Sequence, residues 1–165
     1  MVATLRLLLA ALVAPSLSGY QLAYAQQVTI NNVEHTFYGY PDNSPPGAGT
    51  AYSCGYGRGY TAGGKGTYAD PLTFATAPGE FNKCEIIYDE YTRKYLVFQD
   101  TCAKCIKDWA KGIYHIDIWT GSSTVNGGKA QIQCEDALTP NQGQPVVRND
   151  TTSTAFRVQS SWALV

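Results

Sequence analysis

Two aspartates occupy positions where a carboxyl group can do acid–base chemistry. Asp100 ends the strand-like run KYLVFQD, and Asp117 lies in the middle of YHIDIW. Carboxylates are rarely buried, so the second position is unusual for a strand. Burial among Ile116, Ile118 and Trp119 disfavours the charged form and predicts a raised pKa for Asp117, which then holds a proton that it can donate. A carboxylate nearby at Asp100 would raise that pKa further.

The cysteines between and around these aspartates admit three interpretations. The chain has Cys54, Cys84, Cys102, Cys105 and Cys134. Zinc would use CAKC with His115 and Cys134, but a second ligand pair at zinc-finger spacing is missing. A thioredoxin-like redox pair would need a βαβ context, which the pattern lacks. Disulfides in an oxidising compartment remain, with one thiol left over. We therefore expect no metal and no cofactor.

The N-terminus predicts that the protein is secreted. Residues 1–25 contain Arg6, the apolar run LLLAALVA and the small-residue pattern AYA before Gln26, as in a signal peptide. No other apolar run approaches the ~18 residues of a membrane span. Without the leader, eleven basic residues face thirteen acidic ones. This balance gives no electrostatic reason to bind nucleic acid or a membrane, and we expect a monomer.

Short runs rich in β-branched and aromatic residues alternate with turns and predict a single all-β domain. The predicted strands are VTI, LTFAT, EIIY, KYLVFQD, YHIDIW and AFRVQ. Residues 40–71 form a long glycine- and tyrosine-rich loop, and CAKCIKDWAKG predicts one short helix, with a second near CEDALTP. The predicted barrel domain spans 26–140, and 141–165 form a C-terminal tail or last strand. Asn149 begins an N-glycosylation sequon, Asn-Asp-Thr.

Three segments resemble the aspartate-bearing motifs of a known superfamily. TYADPLTFA, QDTCAKC and YHIDIW are similar to segments of the three-aspartate domain of membrane-bound lytic transglycosylase A, and the matching residues are Asp70, Asp100 and Asp117. TFYGY and CGYGRG resemble the opening of expansins. Rare lipoprotein A, barwin and glycoside hydrolase family forty-five share the fold. The resemblance implies a six-stranded double-psi β-barrel with long glycine-rich loops. A cysteine-containing insert after Asp100 departs from the transglycosylase pattern.

The resemblance also implies roles for these residues. Asp117 would be the general acid, with Asp100 beside it as the second catalytic carboxyl group. Ordinary glycosidases use two carboxylates, whereas transglycosylases of this type use one, because a hydroxyl of the sugar attacks. Asp42 is an alternative base. The structural alternative is that Asp70 and Asp100 accept backbone hydrogen bonds in turns.

Aromatic residues near the predicted groove suit a carbohydrate, because flat rings with a polar tip match sugar faces and hydroxyls. The predicted substrate-binding residues are Tyr38, Tyr40, Asp42, Tyr56, Tyr60, Asp70 and Trp119. The alternative is that these rings fill the core. The predicted function is an enzyme that cleaves a cell-wall polysaccharide, peptidoglycan first and β-glucan second. The alternatives are an expansin- or barwin-like binding module, and a small secreted effector on the same scaffold.

The cysteine positions predict a particular pairing. A Cys54–Cys84 bond would tie the glycine-rich loop to the strand EIIY. Cys134 would then pair with Cys105 or Cys102. We favour Cys105, because Cys102 follows Asp100 by two residues and should point into the barrel.

Overall fold

A computed structural model describes residues 26–149 of the 165-residue chain. Its strands form one closed barrel in the order β1-β5-β2-β4-β3-β6, which confirms the all-β barrel. The elements are β1 Val28–Tyr40, β2 Leu72–Thr76, β3 Ile86–Asp89, β4 Lys94–Thr101, α1 Ala103–Trp109, β5 His115–Ser122, α2 Lys129–Leu138 and β6 Gln144–Arg148, with a 3-10 turn at Val125–Gly128. The leader, the run AFRVQ and the rest of the sequon lie outside the described residues.

The strand β6 was not among the runs predicted from the sequence. It is the segment QPVVR, in which Val146 and Val147 are buried. It pairs antiparallel with both β1 and β3 and so closes the barrel. The short apolar stretch was missed because a proline and polar residues flank it, and two valines alone are a weak strand signal. The last strand of the barrel therefore lies just inside 141–165.

The strand β1 pairs with two other strands, and its pairing sets which residues of the site are neighbours. Its first part pairs antiparallel with β6, and its second part pairs parallel with β5, which places Thr36 beside Asp117. Ala75 of β2 pairs with Asp117 on one side and with Asp100 of β4 on the other. Thr36, Asp117, Ala75 and Asp100 therefore form one row across four adjacent strands.

The core lies inside the barrel and holds this row in place. Its buried apolar side chains come from all six strands and the loop after β2, and they are Val33, Phe74, Phe81, Ile87, Leu96, Phe98, Ile116, Ile118 and Val146. Each contributes about 1.5–3 kcal/mol on burial. Because neighbours in a strand point to opposite faces, burying Ile116 and Ile118 turns Asp117 to the other face of the sheet.

The glycine-rich segment 41–71 packs over one side of the barrel. The Tyr52 amide donates to the carbonyl of Gln99 at 3.0 Å, and the predicted Cys54–Cys84 disulfide is confirmed. Gly64 cannot be replaced without strain, because its φ is +106° and a Cβ there would lie 2.0 Å from the carbonyl oxygen of Pro71. This segment forms a wall above the row of site residues.

The second disulfide differs from the prediction. Cys102 bonds to Cys105, and Cys134 is an exposed free thiol on α2, so the Cys105–Cys134 pairing was wrong. The chain turns sharply after Asp100, and Cys102 becomes the N-cap of α1, where its sulfur accepts a hydrogen bond from the Cys105 amide. One helical turn then brings the two sulfurs together. Two disulfides indicate an oxidising environment. Between residues 26 and 149, no helix has the length and apolar character needed to cross a membrane.

Candidate functional site

A groove of about 630 Å³ opens above the row of residues on the barrel. Asp100, Asp117 and Ala75 line it together, as the sequence predicted for the two carboxyl groups. Its walls come from the glycine-rich segment and from the beginning of α1. The other residues that line it include Tyr38, Asn43, Ser44, Pro45, Pro46, Thr50, Ala51, Tyr60, Cys102 and Lys104. The groove is open to solvent.

Asp117 has the electrostatic environment of a proton donor. Its carboxyl group lies on the groove face of β5 between buried neighbours. Desolvation by burial raises its pKa to about 6, against a hydrogen bond from Thr36 at 2.7 Å that lowers the pKa. The negative charges of Glu135, Asp100 and Asp42 contribute smaller parts of this rise. A carboxyl group with this pKa is substantially protonated in mildly acidic solution and can readily donate its proton.

Asp100 is held more firmly than Asp117 by the backbone. Its Oδ1 accepts hydrogen bonds from the amides of Thr101 at 2.8 Å and Ala51 at 3.1 Å. Tyr38 donates a longer hydrogen bond to its Oδ2 at 3.4 Å. Burial nevertheless raises the pKa of Asp100 above its ordinary value, and the three hydrogen bonds oppose that rise. Asp100 therefore ties the loop wall to the floor, in addition to facing the groove.

The predicted aromatic residues separate into groove and non-groove positions. Tyr38 and Tyr60 line the groove, and Tyr60 is 65% exposed. Burial, together with the charges of Asp100 and Asp117, raises the pKa of Tyr38 well above its usual range, so its hydroxyl stays a donor. Trp119 packs its ring edge-on against Tyr38 at 5.2 Å and is buried. It also borders a separate apolar cleft beside α2. Tyr40, at the end of β1, is not among the groove-lining residues.

Two predicted binding residues lie away from the groove. Tyr56 and Asp70 line a small shallow pocket with Arg58. Arg58 forms an ion pair with Asp70 and stacks over the ring of Tyr56 at 5.2 Å. It also donates to the carbonyl of Pro71. Asp70 therefore has a structural role, the alternative given above to substrate binding, and it orders the glycine-rich segment.

Two further predicted positions have identifiable surroundings. Asp42 is close enough for its charge to raise the pKa of both Asp117 and Glu135. It lies just after β1, beside Glu135 of α2. Asn149, the sequon asparagine, donates its side-chain amide to the carbonyl of Gln26 at 3.2 Å.

The sequence analysis missed the residues behind Asp117. Thr36 contacts both the Asp117 carboxyl group and Nε2 of His115, and Nδ1 of His115 contacts Asp108 of α1 at 2.9 Å. Glu135 of α2 accepts hydrogen bonds from Thr120 and Gln131. The motifs TFYGY and HID contain Thr36 and His115, but only the parallel register of β1 and β5 shows that they meet.

Two groups of described residues bring possible metal-ligand atoms within 4.8 Å of one another. They are Cys102, Cys105 and His115, and Glu34, Asp108 and His115. In the first group the sulfurs are bonded to each other. In the second, the Lys104 ammonium pairs with both carboxylates. The donor atoms of both groups are thus engaged within the protein, and we assign no metal to either.

Comparison with known proteins places this barrel in a family. The model described as the DDB_G0273701 N-terminal domain matches residues 30–163. The chain is 37% identical over 115 residues to a Dictyostelium discoideum protein described as uncharacterized protein DDB_G0273701/DDB_G0273221. That alignment covers 69% of this chain and 49% of the relative, so the chain spans about half the length of the curated relative. No solved structure matches the chain.

Proposed function

The chain belongs to the family of the DDB_G0273701 N-terminal domain, and we propose that it is a secreted double-psi β-barrel that cleaves a cell-wall polysaccharide. The observation that carries the proposal is Asp117, whose pKa of about 6 coincides with its place in the floor of an open groove. Perturbed carboxyl groups in clefts are frequent at catalytic sites.

The proposed step is acid catalysis by Asp117. Its carboxyl proton passes to the oxygen of a glycosidic bond as the bond from that oxygen to the anomeric carbon breaks, and the oxygen leaves as a hydroxyl group. Acid catalysis of this kind contributes roughly 10²- to 10⁴-fold to the rate. The neighbouring charges of Glu135, Asp100 and Asp42 support the role, because they keep the proton on Asp117 until the substrate accepts it.

The surroundings of Asp100 favour a mechanism with one acid. A second catalytic carboxylate needs a free oxygen to act as a nucleophile or base. Two backbone amides occupy one oxygen of Asp100, and the Tyr38 hydroxyl contacts the other. We therefore propose that a hydroxyl group of the substrate itself attacks the anomeric carbon, as in lytic transglycosylases, and that its proton passes to the Asp117 carboxylate left by the first step. Asp100 then positions the sugar through the oxygen that faces Tyr38.

The lining of the groove supports a saccharide as the ligand. Tyr60 presents a largely exposed ring, and polar side chains and backbone groups of the loop wall surround it. Such a mixture suits a ligand with apolar faces and many hydroxyl groups. The resemblance of the three aspartate segments favours peptidoglycan, with β-glucan second.

Product analysis tests the proposal directly. The purified protein is incubated with peptidoglycan, cellulose and chitin, and soluble products are identified by mass spectrometry. We expect fragments from peptidoglycan that end in an anhydro-sugar, which marks attack by the sugar's own hydroxyl. Fragments with ordinary reducing ends would contradict the one-acid mechanism but retain the enzyme.

A second candidate is a binding module without catalysis. Its support is the firm anchoring of Asp100 by the backbone amides of Ala51 and Thr101, which suits a fixed hydrogen-bonding surface. Binding to insoluble wall polymer without any soluble product, and unchanged on replacing Asp117, would favour this candidate over the enzyme.

The two disulfides and the leader-like residues 1–25 support secretion as part of the same proposal. Mass analysis of exported protein should give an N-terminus at Gln26. Exported material that retains Met1 would contradict it.

A further inference from the structure

A line of three hydrogen-bonding contacts runs from the groove into the protein behind Asp117. Asp117 Oδ1 lies 2.7 Å from Thr36 Oγ1, and Thr36 Oγ1 lies 2.9 Å from His115 Nε2. His115 Nδ1 lies 2.9 Å from Asp108 Oδ2. His115 is fully buried, so water has no access to its ring.

The inner end of the line has a fixed protonation state. Hydrogen bonds from Lys104 and His115 lower the pKa of Asp108 to about 2. Asp108 is therefore ionised at working pH and can only accept hydrogen bonds. Nδ1 of His115 must then carry a hydrogen, whether the ring is neutral or charged. Whether Nε2 of His115 also carries a hydrogen depends on its partner, Thr36.

Thr36 has a single hydroxyl hydrogen for two partners. If His115 is neutral, its Nε2 accepts that hydrogen, and Thr36 has none left for Asp117. Asp117 must then be protonated and donate to Thr36. If His115 is charged, its Nε2 donates to Thr36, and Thr36 donates to an ionised Asp117. Every contact is satisfied in both arrangements, and both hold the same number of protons.

We propose that Asp117 and His115 share one proton through the hydroxyl group of Thr36, so that the two residues titrate as one unit and His115 acts as a positioning residue that sets the ionisation of the acid. In the exchange, the Asp117 Oδ1–H bond breaks and its hydrogen goes to Thr36 Oγ1, while the hydrogen of Thr36 goes to His115 Nε2. No further reactant is needed. The value of this exchange for catalysis rests on the proposed function, but the sharing itself does not.

Charged groups from several elements act on the two ends of the unit. Around His115 they are Glu34 of β1, Lys104 and Asp108 of α1, and Glu80, which accepts a hydrogen bond from the His115 amide. Around Asp117 they are Asp42, Asp100 and Glu135, all negative when ionised. Burial lowers the pKa of His115 and raises that of Asp117. Both shifts favour the arrangement with a neutral ring and a protonated acid.

Substitutions at Thr36 and His115 should act in predictable directions. Thr36→Val keeps the shape and removes the hydroxyl, so the two ends lose their link. Thr36→Ser keeps the hydroxyl and is the matched control. In His115→Gln, the side chain cannot take up a proton, so Asp117 has no titrating partner. In that variant the Asp117 signal should follow a single step.

Nuclear magnetic resonance on the substrate-free protein tests the sharing without any need for activity. The ¹⁵N signals of the His115 ring and the carboxyl ¹³C signal of Asp117 are followed from pH 4 to 9. In the wild type and in Thr36→Ser, we expect both signals to show the same two apparent pKa values. In Thr36→Val, only the direct attraction between the two charges remains, so the second step in each signal should shrink. The neutral ring should carry its hydrogen on Nδ1.

Two results would overturn the proposal. One is a neutral ring with its hydrogen on Nε2, and the other is the same His115 titration curve in Thr36→Val as in Thr36→Ser. Direct attraction between the two charges remains in both variants, so their difference isolates the hydroxyl. Because His115 is buried, the pair of Thr36 variants decides the matter even where His115→Gln does not fold.

The pH profile of cleavage then tests whether the shared proton affects catalysis. His115→Gln, if folded, should replace a two-step alkaline limb of the profile with a single step, whereas a merely structural role predicts lower stability with the shape of the limb unchanged. A protein that shows the shared titration but cleaves no polysaccharide would leave the sharing intact and refute the proposed enzyme.

Discussion

Asp100 and Asp117 lie on opposite sides of Ala75, each one strand away from it in the barrel. Two strand spacings put their backbones roughly 10 Å apart. The methyl group of Ala75 leaves the floor open between them. The two carboxyl groups therefore face the groove from separate positions, and each can contact a different part of the proposed sugar ligand.

The first prediction concerns Asp117→Asn, which keeps the shape of the side chain and removes the transferable proton. Cleavage of the wall polymer should fall at least the ~10²-fold expected for loss of acid catalysis. Asp70→Asn is the matched control, because Asp70 pairs with Arg58 outside the groove. It should lower stability more than turnover. Full activity in Asp117→Asn would end the catalytic interpretation and favour the binding module.

The titration of Asp117 should also make the free energy of unfolding depend on pH. Its folded pKa of about 6 lies above the ordinary value of 3.8. The folded state therefore binds more protons between these values, and the contribution of Asp117 to the free energy of unfolding falls as pH rises from about 4 to 6, by up to about 3 kcal/mol. Urea unfolding of Asp117→Asn and wild type across this range should show the variant gaining relative stability as pH rises. A constant difference would contradict the raised pKa.

Asp100 should tune the pH profile of cleavage. Activity that needs protonated Asp117 declines as pH rises through its pKa. The charge of Asp100 contributes to the rise of that pKa, so Asp100→Asn should shift the declining limb to lower pH. Rates measured from pH 4 to 8 test this, with Asp70→Asn as the variant whose limb should not move. A limb that stays in place in Asp100→Asn would show that the two groups are not coupled.

Tyr60 and Tyr56 provide a matched pair for the binding surface. The sequence predicted both as binding residues, but only Tyr60 lines the groove. Tyr60→Ala should weaken binding of soluble wall oligosaccharides by roughly 2- to 10-fold, since a ring contact contributes about 0.5–1.5 kcal/mol. Tyr56→Ala should leave affinity unchanged. Calorimetric titration of both variants measures the effect, and equal losses would show that the ligand extends beyond the groove.

The two disulfides should differ in their effect on stability. In the chain-entropy model, closing the 30-residue separation of Cys54 and Cys84 contributes about 4 kcal/mol, and closing the separation of 3 between Cys102 and Cys105 about 2 kcal/mol. Replacing each pair with serines and measuring thermal unfolding should give a larger loss for the first pair. A thiol reagent should meanwhile label the native protein once, at Cys134.

The sequence predicted those parts of the fold that local pattern determines. The run YHIDIW is strand β5, and its central aspartate has the raised pKa that burial predicts. The helix in CAKCIKDWAKG was also found, ending near Gly112 with its positive φ. These features depend on the side-chain periodicity of a few adjacent residues, which a sequence displays directly.

The missed features depend on which distant residues become neighbours. Thr36 meets Asp117 only because β1 and β5 are parallel in one particular register. The pairing of Cys102 with Cys105 depends on how sharply the chain turns after Asp100. Tyr56 was grouped with Tyr60 because they are close in sequence, but the loop between them bends away from the groove. None of these relationships can be recognised from a few adjacent residues in the sequence.

The pairing of β1 with two late strands has a consequence for when the site comes into existence. Thr36 and Asp117 are 81 residues apart, and Val28 pairs with Arg148 near the other end of the described chain. Contacts between such distant segments form slowly, typically in milliseconds to seconds, because the intervening chain must first be ordered. A partly folded chain thus has neither the desolvated Asp117 nor its partner Thr36. The proposed activity can emerge only after the barrel has closed, so a chain still being synthesised or exported carries no active acid.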